Sequence, residues 1–280
     1  MISSSYALSP EQVAFYREQG YLLMPGVLPP DEAQVLREEA HALIQRLAEV
    51  RGGEENLNAA WGSSKALADL PPKLLHCHNV QYHSAAFTRL LCDPRFTDRI
   101  ACLIGPNVQL HHTKLFIKPP EQGAPFPLHQ DQPYFPHEKH TMLAAVFFFD
   151  DAPVEKGCIC VVPESHRLGP IPHLPEGGWH LPLEQYPLES ATPVPARAGD
   201  VVVFNYLTIH GSGVNRTQEA RTTLLVQMRD PTDHPTQAVH LSRGQGLMLR
   251  GIDPTADADP HTDSRSRYLA SLDSEARTPH

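Results

Sequence analysis

The sequence predicts a mainly β fold with flanking helices, and three observations carry that expectation. From about residue 108 onward, short runs rich in Val, Phe and Leu, among them "VQLHHTKLFIKPP", "TMLAAVFFFDDA", "GCICVVPESH", "DVVVFNYLTIHGS" and "RTTLLVQMRD", are separated by Pro/Gly-rich turns. That is the pattern of a sandwich or barrel. The 28 prolines favour turns and loops over long helices, and helical patterning is confined to the part before the first of these runs.

In chain order, "LSPEQVAFYREQG" opens with Ser9, Pro10 and Gln12, an N-cap, a proline at the first helical position and the partner residue of a capping box. A helix is expected from about residue 10 to Gly20, which suits the left-handed position that ends a helix, and "YLLMPGVL" after it reads as a strand. A second helix is expected from about Pro30 to Val50, with Val35, Leu36, Leu43, Ile44 and Leu47 on one face. The stretch from about Arg167 to Gly199 is rich in Pro and Gly and almost without periodicity; a loop of that length is usually functional, often a lid. It holds Trp179, His180 and Tyr186, which offer apolar surface and hydrogen bonds to a ligand.

One domain over 1–280 is expected, with a helical part at about 9–105, a β core at about 106–232 and a polar tail at about 254–280. A formal charge of -9 and no Lys/Arg-rich run argue against a nucleic-acid surface and for a small-molecule partner. Five scattered cysteines, Cys77, Cys92, Cys102, Cys158 and Cys160, read as reduced core residues. Cys158 and Cys160 share a strand face, but no third thiolate is near in sequence to complete a metal site. "MISSSYALSPEQ" has neither a basic start nor an apolar signal region, and the run Met142 to Phe149 is too short to span a bilayer, so a cytoplasmic, membrane-free enzyme is expected.

"PFPLHQDQPYF" places His129 and Asp131 two positions apart, on one face if the segment is a strand. With 17 histidines in the chain, a lone His-x-Asp arises by chance, so the remainder of a site must be found elsewhere. A mononuclear non-haem iron centre needs two histidines and one carboxylate on one face of the metal. His210, at the end of "VVVFNYLTIH", supplies an imidazole from a distant strand. Eleven residues later, Arg221 opens "RTTLLVQMRD". A guanidinium carried inward on a strand needs an anion, and its planar fork suits a carboxylate, so a dicarboxylic cosubstrate fits. His76 and His78 in "HCH" are a His-x-His that can seed a zinc site of a hydrolase. The alternating strand and helix pattern of a metal-dependent barrel hydrolase is missing, and these two read as pocket or surface residues.

The opening "LSPEQVAFYREQGYLLMPGVL", the strand "GPNVQLHHTKLFIKPP" and the segments "LHQDQPYFP", "GCICVVPESHR" and "HGSGVNRTQEAR" together resemble the phytanoyl-CoA hydroxylase family of Fe(II)/2-oxoglutarate oxygenases. The resemblance implies a double-stranded β-helix, a cupin-like jelly roll, with iron held by His129, Asp131 and His210. It implies that Arg221 binds the far carboxylate of 2-oxoglutarate with help from Ser212 and Gln130, with Thr113 and Phe147 also on the cosubstrate and Tyr134 and Trp179 on the substrate. Phe147 stands where close relatives often have Trp, eighteen residues after the first ligand, and Lys156-Gly157 replaces a common Asn-Gly pair. The implied reaction consumes O2 and 2-oxoglutarate, releases succinate and CO2, and hydroxylates an aliphatic carbon of an acyl-CoA, amino acid or natural product. Halogenases of the family replace the carboxylate ligand by a small residue, so Asp131 argues for hydroxylation or desaturation. A non-catalytic or sensing member of the same fold is the alternative.

Overall fold

The computed structural model describes residues 5–256 apart from 238 and 243. Most of the tail expected at about 254–280 therefore lies outside the described residues.

Helix α1, Pro10–Gln19, begins with the expected capping box: Ser9 N donates to Gln12 Oε1 (2.9 Å) and Gln12 N to Ser9 Oγ (3.3 Å). It stops at Gly20, whose φ of 80° lies in the left-handed region that glycine enters without a Cβ penalty. Strand β1, Tyr21–Met24, follows, then α2, Pro30–Arg51. Leu36, Leu43 and Ile44 of α2 are buried as expected, but Val35 is 62% exposed; Ala33, Ala40 and Ala48 complete the inward stripe instead, because helices 3.6 residues per turn set the face more narrowly than apolar character alone. Strand β2, Leu75–His78, and helices α3, Ala85–Leu91, and α4, Pro94–Ile104, complete the first part of the chain.

The β body comprises β3, Val108–Lys118; β4, Phe126–His129; β5, Leu143–Phe148; β6, Ile159–Val161; β7, Thr192–Val194; β8, Val201–Asn205; β9, His210–Ser212; β10, Arg221–Arg229; and β11, Met248–Arg250. A seven-stranded sheet runs β1-β8-β5-β10-β3-β11, with β2 also paired to β3, and a four-stranded sheet runs β4-β9-β6-β7. The pairs are antiparallel. This is the mainly β jelly roll that was expected, and period-two alternation divides its two faces. On the large sheet, Phe147, Val203, Leu224 and Val226 face outward into a core shared with Leu36 and Leu43 of α2 and Phe96 of α4, whereas Val146, Phe148, Val202 and Phe204 face inward and meet Ile159, Val161 and Val194 of the small sheet.

Three expectations need correction. "DVVVFNYLTIHGS" is two strands: β8 lies in the large sheet and β9 in the small one, and the turn at 206–209 carries the chain across. The stretch 167–199 is not an unstructured loop, since β7 pairs with β6 and Leu174 bridges His180. Its short elements alternate with prolines too closely for any periodicity to show. Of the cysteines, all free, Cys77 and Cys158 are buried, Cys102 and Cys160 half-buried, and Cys92 is exposed at the end of α3, outside the core.

Candidate active site

His129 is the last residue of β4, and its Cα partner across the small sheet is His210, the first residue of β9. Their rings stand 4.2 Å apart between centroids. Asp131 is not on the strand: it lies in the helical region (φ -76°, ψ -23°) at the head of a short turn. Its backbone N–H donates to Tyr206 O (2.9 Å), tying it to the turn that delivers His210. Convergence of His129 and Asp131 thus comes from a strand end plus a turn, not from strand alternation. Gly211 permits the close approach of β9 to β4, since a Cβ there would meet Phe126 O at 2.5 Å.

One ligand atom each from His129, Asp131 and His210 lies within 4.8 Å of the others, and all three residues are buried. The Nε2 atoms of His129 and His210 are 3.7 and 3.8 Å from Asp131 Oδ1, too far for hydrogen bonds. Both Nδ1 atoms face backbone carbonyls, His129 to Pro127 O (2.8 Å) and His210 to Thr208 O (2.9 Å). Each Nδ1–H therefore donates, and each Nε2 keeps its lone pair for the centre of the triad. Burial, with the neighbouring His210, holds His129 well below the usual histidine range and so in the neutral form that ligates metal. Asp131 Oδ2 accepts from the side-chain amide of Gln227 on β10. Two imidazoles and one carboxylate, each oriented from behind, fit an iron(II) ion.

The triad opens into a cavity of about 300 Å³ lined by aromatic side chains, including Trp61, Phe126 and Tyr134, and by Ser212 and Arg221. Arg221 is buried at the start of β10, in register with Lys118 at the end of β3. It donates from Nη1 to Gly157 O, while Nε has no partner. Burial pulls its guanidinium down to about 10, still charged at neutral pH. Lys118 Nζ donates to Ser212 Oγ (2.8 Å) and Gly213 O (2.6 Å). An unsatisfied buried guanidinium donor beside a hydroxyl and an ammonium fits a carboxylate.

The remaining expected residues divide. Tyr134 lines the cavity and donates its hydroxyl to Trp179 O (2.9 Å). Trp179 is 44% exposed and faces a neighbouring surface cleft; the indole on the cavity wall is Trp61, 4.8 Å from the His129 ring. Gln130 points away from the cavity: Nε2 donates to Gly169 O (2.9 Å) and Leu207 O (2.7 Å), and Oε1 accepts from Ile171 N (2.8 Å). The chain leaves the strand after His129 and turns at Asp131, and Gln130 at that corner is directed to the 169–171 backbone rather than to the cavity. Phe147 packs outward on Phe96, ring centroids 4.6 Å apart, and Val146 takes the inward position; counting eighteen residues lands one off, and one residue on a strand reverses the face. Thr113 also faces outward, bonded to Gln81 Oε1 (2.8 Å) and Val80 N (3.0 Å), while His112, Lys114 and Phe116 face the cavity. His78 lines the cavity, and His76 is turned to Leu57 O (2.7 Å). Trp61 lies in a segment with no readable pattern, but the period of β3 and β10 was a usable signal for Lys114, Lys118 and Gln227.

A jelly roll that presents two histidines and a carboxylate at a cavity ending in a buried arginine defines the class of 2-oxoglutarate-dependent non-haem iron oxygenases. The family model for phytanoyl-CoA dioxygenase (PhyH) matches residues 16–223, and the chain belongs to that family. The peroxisomal phytanoyl-CoA dioxygenase of Rattus norvegicus is 30% identical over 229 residues, 78% of this chain and 67% of that protein. A probable alpha-ketoglutarate-dependent hypophosphite dioxygenase of Stutzerimonas stutzeri is 25% identical over 227 residues, 77% of each. Among solved structures, the epimerase SnoN in complex with Fe3+, alpha-ketoglutarate and nogalamycin RO matches with a TM-score of 0.67 at 26% identity, over 86% of this chain and 98% of that one. The chain is a 2-oxoglutarate-dependent oxygenase using iron and O2.

Proposed function

We propose that this oxygenase hydroxylates an aliphatic carbon of a small molecule of the acyl-CoA, amino acid or natural-product class, with release of succinate and CO2. His129, Asp131 and His210 hold the iron, and Arg221 and Ser212 take the far carboxylate of 2-oxoglutarate. When bound, iron and 2-oxoglutarate supply the oxidising chemistry, coupling decarboxylation of the cosubstrate to attack on a C–H bond. The observation that carries this reading is the pairing of the triad with an unsatisfied Arg221 Nε at the opposite end of one cavity.

The chain's own residues bind, orient and exclude water. Gln227 holds Asp131 on its second oxygen, leaving the first for the metal. Asp131 occupies the third ligand position, so hydroxylation or desaturation is favoured over halogenation. Trp61, Phe116, Phe126 and Phe135 give the cavity an apolar wall for a carbon skeleton. The segment carrying Trp61 closes against the 174–180 turn, where Ser63 N donates to Gly177 O (3.0 Å) and Tyr134 reaches Trp179; these two segments form the lid that shields the reaction from water. We place this single-domain enzyme in the cytoplasm, consistent with the absence among described residues of any helix long and apolar enough to cross a membrane.

The test is a small-molecule screen for substrate-stimulated conversion of 2-oxoglutarate to succinate, with hydroxylated product identified by mass. Wild type should couple the two products one to one, and His129→Ala and His210→Ala should abolish both. Stimulated succinate release with no oxygenated or desaturated product from any stimulating compound would contradict the reading.

A further inference from the structure

Arg221 and Lys118 pair across β10 and β3 at one end of the cavity floor, and Lys114 pairs with Leu225 four residues along β10. At a strand rise of about 3.3 Å per residue, this places the two poles about 13 Å apart. Around Lys114, the cavity wall carries His78, His112 and His240. Lys114 is half-buried, its remaining surface opening into the cavity, and among the described residues its ammonium makes no hydrogen bond or ion pair.

The hydrogen-bond chain behind His112 settles which nitrogen carries its proton. Gln245 Nε2 donates to His240 O (3.1 Å), which fixes the orientation of that amide, and the same nitrogen stands 2.8 Å from His111 Nε2. His111 Nε2 accepts, so its proton is on Nδ1, which donates to His112 Nδ1 (2.6 Å). Neutral His112 then carries its proton on Nε2, and that atom is buried without a partner. An ammonium and an imidazole N–H, both unsatisfied, stand on one wall.

The charges point the same way. The sole carboxylate lining the cavity, among described residues, is Asp131. A divalent metal with Asp131, Arg221 and the dianionic cosubstrate sums to zero, which leaves Lys118 and Lys114 without a counter-ion; the Lys118 ammonium is held by Ser212 Oγ and Gly213 O, whereas that of Lys114 is held by no described residue. A buried charge without a counter-ion is costly.

We propose that Lys114 and His112 form an anion subsite for the substrate, so that the compound oxidised carries a carboxylate or a phosphate monoester close to the reacting carbon. This rests on the functional reading above, with 2-oxoglutarate at the Arg221 end, and sharpens its substrate class. The anionic head seats between the Lys114 ammonium and the His112 Nε2–H, and the carbon skeleton lies along Phe116, Phe135 and Trp61.

The test uses the anaerobic Fe(II)·2-oxoglutarate complex of the full chain, titrated calorimetrically with butanoate, hexanoate, octanoate and hexyl phosphate, each beside its neutral amide or alcohol. At least one acid should bind tenfold or more tightly than its neutral partner, and which one it is distinguishes carboxylate from phosphate. Lys114→Met should remove that preference, Lys114→Arg should keep it, and 2-oxoglutarate affinity should change less than twofold in both. Equal binding of acids and neutral partners, no binding of any acid, or a Lys114→Met variant that loses 2-oxoglutarate instead of the acid would overturn the proposal. If Lys114→Met does not fold, the wild-type contrast and Lys114→Arg decide it. A wild type that fails to bind iron and 2-oxoglutarate would overturn the functional reading, an outcome visible before any acid is added.

Discussion

Gln227 on β10 donates its side-chain amide to Oδ2 of Asp131, the oxygen that does not face His129 and His210. The strand that begins with Arg221, proposed above to take the cosubstrate, therefore also fixes the orientation of the proposed metal carboxylate. Gln227→Leu should weaken Fe(II) affinity by about 10- to 100-fold, the usual effect of removing a hydrogen bond behind a metal ligand, with little change in thermal stability. Competition against a fluorescent chelator measures it.

Arg221 and Arg229 lie at opposite ends of the same strand, yet only Arg221 faces the triad's cavity. Arg229 donates to the carbonyls of Pro231 and Asp233, beside a different cavity. Arg221→Ala should leave Fe(II) affinity nearly unchanged and weaken 2-oxoglutarate binding by about 2–4 kcal/mol, since a buried charge-assisted pair loses its partner. Calorimetry of the anaerobic iron form checks this; loss of cosubstrate binding in Arg229→Ala instead would reassign the site.

The Gln130 side chain holds the 169–171 backbone by two hydrogen bonds and Leu207 O by a third, and its backbone N–H donates to His173 Nε2 (2.8 Å). Its role is to pin the loop to the strand that carries His129. Gln130→Ala should cost about 1–3 kcal/mol through the buried groups left unpaired and accelerate amide exchange across 169–173, with 2-oxoglutarate affinity within about twofold of wild type. A large loss of cosubstrate binding with unchanged exchange would contradict the pinning role.

Burial holds His111 and His112 well below the usual histidine range. Between the unfolded value near 6.5 and the lower folded values, only the unfolded chain takes up protons. Stability should thus be full above about pH 6.5 and fall on acidification, by up to about 1.4 kcal/mol per pH unit for each histidine. Urea unfolding of the metal-free protein at about pH 7.5, 6.5 and 5.5 measures the slope, and His112→Leu should reduce it by about one proton.

What the sequence showed and what it hid follow from range. The α1 cap was legible because Ser9, Pro10, Gln12 and Gly20 interact within one helix. That His129, Asp131 and His210 would come together, with Arg221 on the same cavity, was legible because the chemistry of iron and of a dicarboxylate restricts residue types. Which face each strand presents was harder. Phe147 was assigned inward and lies outward, since every residue of β5 is buried and an all-apolar strand shows no alternation; Thr113 was assigned to the cosubstrate against the period of β3, whose His112, Lys114 and Phe116 face the cavity. Trp61 could not be seen at all: only tertiary contact, with Gly178 leaving room for its ring, brings it to His129.

The central claim is that one chain holds one iron at His129, Asp131 and His210 and one 2-oxoglutarate reaching Arg221. Anaerobic titration of 2-oxoglutarate into the Fe(II)-loaded protein, followed by visible absorbance, tests it most directly. The account predicts a weak charge-transfer band that saturates at one equivalent, is absent in His129→Ala and His210→Ala, and requires far more 2-oxoglutarate in Arg221→Ala. A wild-type protein that retains stoichiometric zinc, develops no band with iron and 2-oxoglutarate, and hydrolyses an ester or amide would contradict it.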